Sequence, residues 1–214
     1  MLLFFLAVLP IFIFLAIVYL CDQNKEPISL LLKLFLGGFL VSLFVGVINY
    51  YFDPIMYFDG KSSIYIFLYY FGYVAFIEEV LKWICVYFIG YKSKEYDERY
   101  DILLYSIVVS LGFAFLENIF YVMYRGYMAA LLRAFIAVPA HLCYGTFMGY
   151  FLSKFKECNK SKYKGMSLVI PILIHGLYDW ILFYPQTFMV ILFYLFVILL
   201  FSFTAYIFKE MLKK

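Results

Sequence analysis

Seven stretches of this chain, 2–20, 28–48, 63–90, 102–124, 134–152, 166–184 and 187–208, are each long and apolar enough to cross a bilayer. A spanning helix needs about 20 mostly apolar residues. The sequence is 67% hydrophobic and 14% charged, against about 45–50% and 25% in soluble domains. The apolar runs are continuous rather than alternating, which excludes a β-barrel. The expectation is an all-α, polytopic helix bundle in the cell membrane, with residues 1–214 as a single membrane-embedded domain. The first run is read as a retained helix, because nothing basic precedes it and no small-x-small cleavage site follows. Aromatic residues at NYYFDPIMYF (49–58) suit an interface belt.

Alternating the seven runs partitions the lysines and arginines. One side receives Lys25, Lys33, Lys92, Lys94, Arg99, five lysines between 154 and 164, Lys209, Lys213 and Lys214; the other receives Lys61, Arg125 and Arg133. Positive loops stay in the cytoplasm, so the N-terminus is expected outside and the C-terminus inside. The four cysteines lack CxxC or zinc-type spacing and read as small apolar fillers. No phosphate loop, nucleophile elbow or nucleic-acid patch is present.

A few ionisable groups lie deep within the runs: Glu78, Glu79 and Lys82 in the third, Glu117 beside Asn118 in the fourth, His141 in the fifth, His175 and Asp179 in the sixth. An intramembrane charge costs about 2.5–3.5 kcal/mol on insertion scales and marks function by default. At 1.5 Å rise per residue, most fall within roughly 6 Å of their helix midpoints, with Lys82 a turn deeper. Four helices therefore deliver polar groups to one slab. Glu78 and Lys82 are spaced i,i+4 and share a face, with Glu79 about 100° away, so Lys82 can neutralise one carboxylate while its neighbour turns to a cavity. His175 and Asp179 are also i,i+4, letting Asp179 fix the imidazole tautomer. Glycines near these groups (Gly112, Gly145, Gly149, Gly176) permit close helix approach. The first and seventh runs carry no such groups and are expected at the periphery.

Carboxylates and imidazoles around a watery intramembrane pocket suit hydrolysis. Glu78, Glu79, Glu117, His141 and His175 are the candidate catalytic residues, supported by Lys82, Asn118 and Asp179. In one version a divalent metal such as zinc polarises the carbonyl, with His141, His175 and Glu117 as candidate ligands. A metal-free version is equally allowed, with a glutamate as base and the histidines and Asn118 as oxyanion donors. A proton or divalent-cation transporter is a rival reading, but no inverted repeat appears. A non-enzymatic scaffold or immunity protein would not need all these groups.

The segments EEVLK (78–82), FAFLEN (113–118), HLCYG (141–145) and HGLYD (175–179) resemble, in order, the EExxK, FxxxEN, HxxxG and HxxxD motifs of the PrsW family of membrane-embedded proteases. That family is related to the type II CAAX prenyl endopeptidases and abortive-infection membrane proteins. The resemblance covers about residues 60–185. It implies a glutamate-dependent intramembrane protease making an extracytoplasmic cut in a single-span membrane protein, such as an anti-sigma factor in a stress response. By motif position Glu78 and Glu79 would be the base and its partner, while Glu117 stands where CAAX enzymes carry a histidine.

Overall fold

The computed structural model describes residues 1–53, 62–184 and 186–213. The second half of the aromatic belt, 54–58, together with Lys61 and Lys214, lies outside them, while Tyr50, Tyr51 and Phe52 of its first half are described and exposed. Each apolar run forms one helix long and apolar enough to cross a membrane: α1 Leu2–Cys21, α2 Ile28–Phe52, α3 Ser63–Tyr91, α4 Arg99–Arg125, α5 Tyr127–Cys158, α6 Ser161–Phe183 and α7 Thr187–Met211. Among the described residues there is no strand. Two helices begin earlier than hydropathy suggests, α5 at Tyr127 rather than 134 and α6 at Ser161 rather than 166. Helical hydrogen bonding needs only backbone groups, so the helix continues into polar residues beyond the apolar window.

Helix α4 is the axis of the bundle, buried on nearly every side from Tyr100 to Ala114. It packs against α1, α2 and α5. Between helices in lipid the hydrophobic effect supplies little, and close backbone contact does the work. Glycines make that contact. A Cβ on Gly38 would lie 2.0 Å from the Val109 carbonyl oxygen, and one on Gly112 would lie 2.3 Å from that of Phe35, so α2 and α4 touch backbone to backbone. Gly149 presses on Leu103 in the same manner, 2.6 Å from its Cα. Hydrogen bonds add direction. Ser110 donates to the His141 carbonyl at 2.6 Å, and Tyr100 donates to that of Val18 at 2.8 Å. Outward faces of α1, α2 and α7 expose Phe12, Leu36, Leu40, Leu195 and Ile198, as a lipid boundary requires.

Two of the site-bearing helices are irregular. In α3, wide π-type turns at Tyr69–Ala75 and Val86–Tyr91 flank the regular segment Phe76–Cys85. In α5 another such turn, Arg133–Ala137, precedes Pro139. A π-type turn rotates the side chains that follow it, and such turns are concentrated at functional sites.

Candidate active site

The regular segment of α3 delivers Glu78, Glu79 and Lys82 to the bundle interior, all three buried. The Lys82 ammonium lies 2.8 Å from Glu79 Oε1 and 3.3 Å from Glu78 Oε2. It also sits 3.8 Å from the centre of the Phe113 ring, a cation–π contact from α4. One ammonium thus holds both carboxylates, and more closely the one at i,i+3. The choice left open by the spacing is made here: Glu79 is 0% exposed, and Glu78 is the carboxylate on the cavity. Spacing separates the two glutamates by an angle but does not say which way the helix is turned.

Helix α6 adds His175 and Asp179. His175 Nδ1 is 2.9 Å from Glu79 Oε1, and Nε2 is 3.3 Å from Asp179 Oδ2. Both ring nitrogens face carboxylate oxygens, so the ring is fully satisfied by donating from both. Helix α5 adds His141, whose Nε2 lies 2.8 Å from Glu117 Oε2 and whose Nδ1 is 3.5 Å from the Lys82 ammonium. A nitrogen facing an ammonium carries the lone pair; Nε2–H then donates to Glu117. The two imidazole rings are 5.8 Å apart, centre to centre. Glu78, Glu117, His141, His175 and Asp179, from four helices, all line one cavity of about 1460 Å³.

Sequence reasoning missed two residues here. Arg133, assigned above to an outer loop, lies within α5, donating from Nη2 to Glu117 Oε2 at 2.8 Å and from Nε to Asn118 Oδ1 at 2.6 Å. Its guanidinium covers the Tyr121 ring at 4.3 Å. Only its FxxxEN neighbours gave a signal, since a buried Glu117 needs a cation. Tyr144, inside the HxxxG segment, stacks on His175 with ring centres 4.6 Å apart. It is 1% exposed, borders the cavity, and its hydroxyl has no hydrogen-bond partner. Asn118, by contrast, is no oxyanion donor: its amide donates to the Ala7 carbonyl of α1 at 2.6 Å, and it is fully buried. The outer helices are also less peripheral than expected, because α7 supplies Met189 and Phe193 to the cavity wall.

Comparison with known proteins bears on the same residues. The family described as PrsW family intramembrane metalloprotease matches residues 26–206. The chain belongs to the PrsW family. It is 37% identical to Protease PrsW of Oceanobacillus iheyensis over 175 residues, covering 81% of this chain and 79% of that one. It is 35% identical to Protease PrsW of Clostridioides difficile over 212 residues (92% and 86% of the two chains). Protease PrsW of Bacillus subtilis is 36% identical over 176 residues, 77% and 75% of the two. No solved structure matches the chain. As a PrsW protein it is a multi-pass membrane protease, a hydrolase.

The family description, a metalloprotease, implies a metal without naming one, which makes the donor set the question. Glu78, Glu79 and His175 offer atoms within 4.8 Å of one another, the spread of three ligands about one ion. The Lys82 ammonium, however, already stands at the cation's place between the two glutamates. Both nitrogens of His175 face carboxylates, and those of His141 face Glu117 and Lys82. A metal needs an imidazole lone pair aimed at it. One acceptor, Glu79 Oε2, is buried without a partner, and a single open oxygen does not make a site. Glu117, His141 and His175 do not form a three-donor group among the described residues. As arranged, the PrsW site of this chain does not fit a metal ion.

Proposed function

We propose that this protein is a metal-independent intramembrane endopeptidase that cuts a single-span membrane protein near one end of its span, with Glu78 as general base. The observation that carries this reading is the Glu78 carboxylate on the cavity, tethered on one side by Lys82 and with its other oxygen uncommitted. Glu78 takes a proton from a water as that water's oxygen bonds to the scissile carbonyl carbon. The Tyr144 hydroxyl, an uncommitted donor on the ring stacked against His175, supports the oxyanion beside that positively polarised ring. When the C–N bond breaks, Glu78 returns its proton to the leaving amine. Glu79 and Asp179 hold His175; Glu117, Arg133 and Asn118 hold His141 and tie it to α1.

The cavity extends to Asn49, Tyr51, Asp53, Arg125, Tyr184 and Met189. These mark the end of the bundle where α2, α4 and α6 finish, opposite the lysine-rich connections. Under the positive-inside rule that end is extracytoplasmic, which supports an outer-side cut. An anti-sigma factor is the substrate class the family resemblance suggests. The whole chain is read as one membrane-embedded unit, because α1 and α7 both contribute to the site.

The test is purified protein in liposomes with a tagged single-span substrate. Wild type releases one fragment; folded Glu78→Gln and His175→Ala variants do not. Cleavage by Glu78→Gln at the wild-type rate would remove Glu78 from the mechanism. An ion flux abolished by the same variants, with no cleavage by wild type, would favour a transporter.

A further inference from the structure

At the opposite end of the bundle, where α1 stops and α4 begins, a second acidic group has no assigned role. Asp22, Glu98 and Asp101 each bring an atom within 4.8 Å of the other two. Asp22 is 2% exposed and Asp101 is 0% exposed. Local structure accounts for half of the cluster. Asp101 Oδ2 accepts from the Glu98 and Asp97 amides at 2.6 and 2.9 Å, capping α4. Asp22 Oδ2 accepts from the Glu26 amide at 3.1 Å, and the Asn24 side chain donates to Glu98 Oε1.

The other half is unexplained. Oδ1 of Asp22 and Oδ1 of Asp101 are buried and accept from nothing. Leaving a buried carboxylate oxygen without a donor is costly. Among the described residues no lysine or arginine pairs with these acids. The Lys25 ammonium instead binds the carbonyls of Tyr19 at 2.8 Å, Leu20 at 3.1 Å, and Asp22; Arg99 turns to Glu157 at 2.5 Å. A fourth carboxylate, Glu26, is buried alongside and accepts from the Tyr105 hydroxyl at 2.6 Å. The α4 N-terminus favours negative charge at Glu98 and Asp101, but Asp22 sits at the C-terminal end of α1, whose dipole repels a carboxylate.

We propose that Asp22, Glu98 and Asp101 form a binding site for a hard divalent cation of the calcium or magnesium class, which ties the α1–α2 connection to the start of α4. The donors are all oxygens, with no imidazole or thiolate among them, the ligand chemistry of those ions. Their spread matches oxygens placed about 2.3–2.6 Å from a common centre. The cation supplies the positive charge that no ion pair among the described residues provides, and gives the two orphaned oxygens a partner. This inference does not depend on the protease mechanism.

The test follows thermal unfolding of the intact protein in detergent through its tryptophans, Trp83 and Trp180, with calcium chloride or magnesium chloride and with sodium chloride at matched ionic strength. One of the divalent ions should raise the midpoint saturably, by about 5 °C. Asp22→Asn and Asp101→Asn keep an acceptor for the same backbone amides and should lose that rise, while Glu78→Gln retains it. The proposal is overturned if neither ion acts beyond the sodium control or if both Asn variants keep the full rise. It is equally overturned if Asp22→Asn is more stable than wild type at saturating ion, since the cluster would then be simple repulsion relieved by protons.

Discussion

The Tyr144 hydroxyl is the residue that most sharply separates structure from catalysis. It is buried without a hydrogen-bond partner, so Tyr144→Phe removes an unsatisfied group and keeps the ring stacked on His175. Such a change is neutral or stabilising for the fold. If the hydroxyl supports the oxyanion, turnover should fall by about a hundred- to a thousand-fold with the melting temperature unchanged or raised. Unaltered turnover would take Tyr144 out of the mechanism. Arg133 makes the opposite prediction. Arg133→Gln leaves Glu117 uncompensated in a largely buried place, at a cost of about 3 kcal/mol. Adding Glu117→Gln should recover most of that stability but not activity, a pattern a double-mutant cycle in detergent can read. At this scale the sequence disclosed the polar groups that lipid cannot hold, because their cost is visible in any hydropathy scan. Arg133 escaped since it lies beyond an apolar window, and Tyr144 was hidden among 23 tyrosines. Neither hydrogen bonding nor orientation is written in composition.

Helices were legible as apolar runs, yet their rank in the bundle was not. Helix α4 looks no more apolar than its neighbours, and its central position follows from residues small enough to admit other backbones. Gly38→Ala forces a methyl to within 2.0 Å of the Val109 carbonyl oxygen. Backbone cannot move aside as a side chain can, so α2 must separate from α4, at about 3 kcal/mol, the upper end of the usual overpacking cost. Gly165→Ala, at an exposed position near the start of α6, meets nothing within 4 Å and should be neutral or stabilising by up to about 1 kcal/mol. Equal yields and melting temperatures for the two variants would show that the α2–α4 contact is not needed. The π-type turns of α3 and α5 were not legible either. They leave no mark in the apolar pattern, yet in α3 the regular segment they flank carries Glu78 on the cavity and Glu79 fully buried.

Among the described residues two acidic centres lie at different levels of the bundle, and on the two proposals each should answer to chelation differently. In the cavity an ammonium stands between the glutamates; at the α1–α4 end no lysine or arginine among the described residues forms an ion pair with the Asp22, Glu98 and Asp101 carboxylates. A chelator should therefore lower the unfolding midpoint yet leave turnover unchanged at temperatures well below it. Loss of turnover in protein that is still folded, restored by zinc, would contradict the metal-independent reading. On the proposed reading, the same asymmetry of ends sets where a substrate should be cut. The cavity reaches Asp53, Arg125 and Tyr184, at the lysine-poor end, while Lys25, Lys92, Lys94 and the lysines of 154–164 gather at the other. A substrate helix must unwind to present a carbonyl to Glu78, and it unwinds most easily where water already enters. Cleavage should therefore map to the outer edge of the substrate span, leaving most of the span attached to the cytoplasmic fragment. Mass spectrometry of both fragments from oriented liposomes reads this directly. A cut near the cytoplasmic edge would mean that the substrate enters from the lysine-rich end and that the cavity mouth described here is not its route.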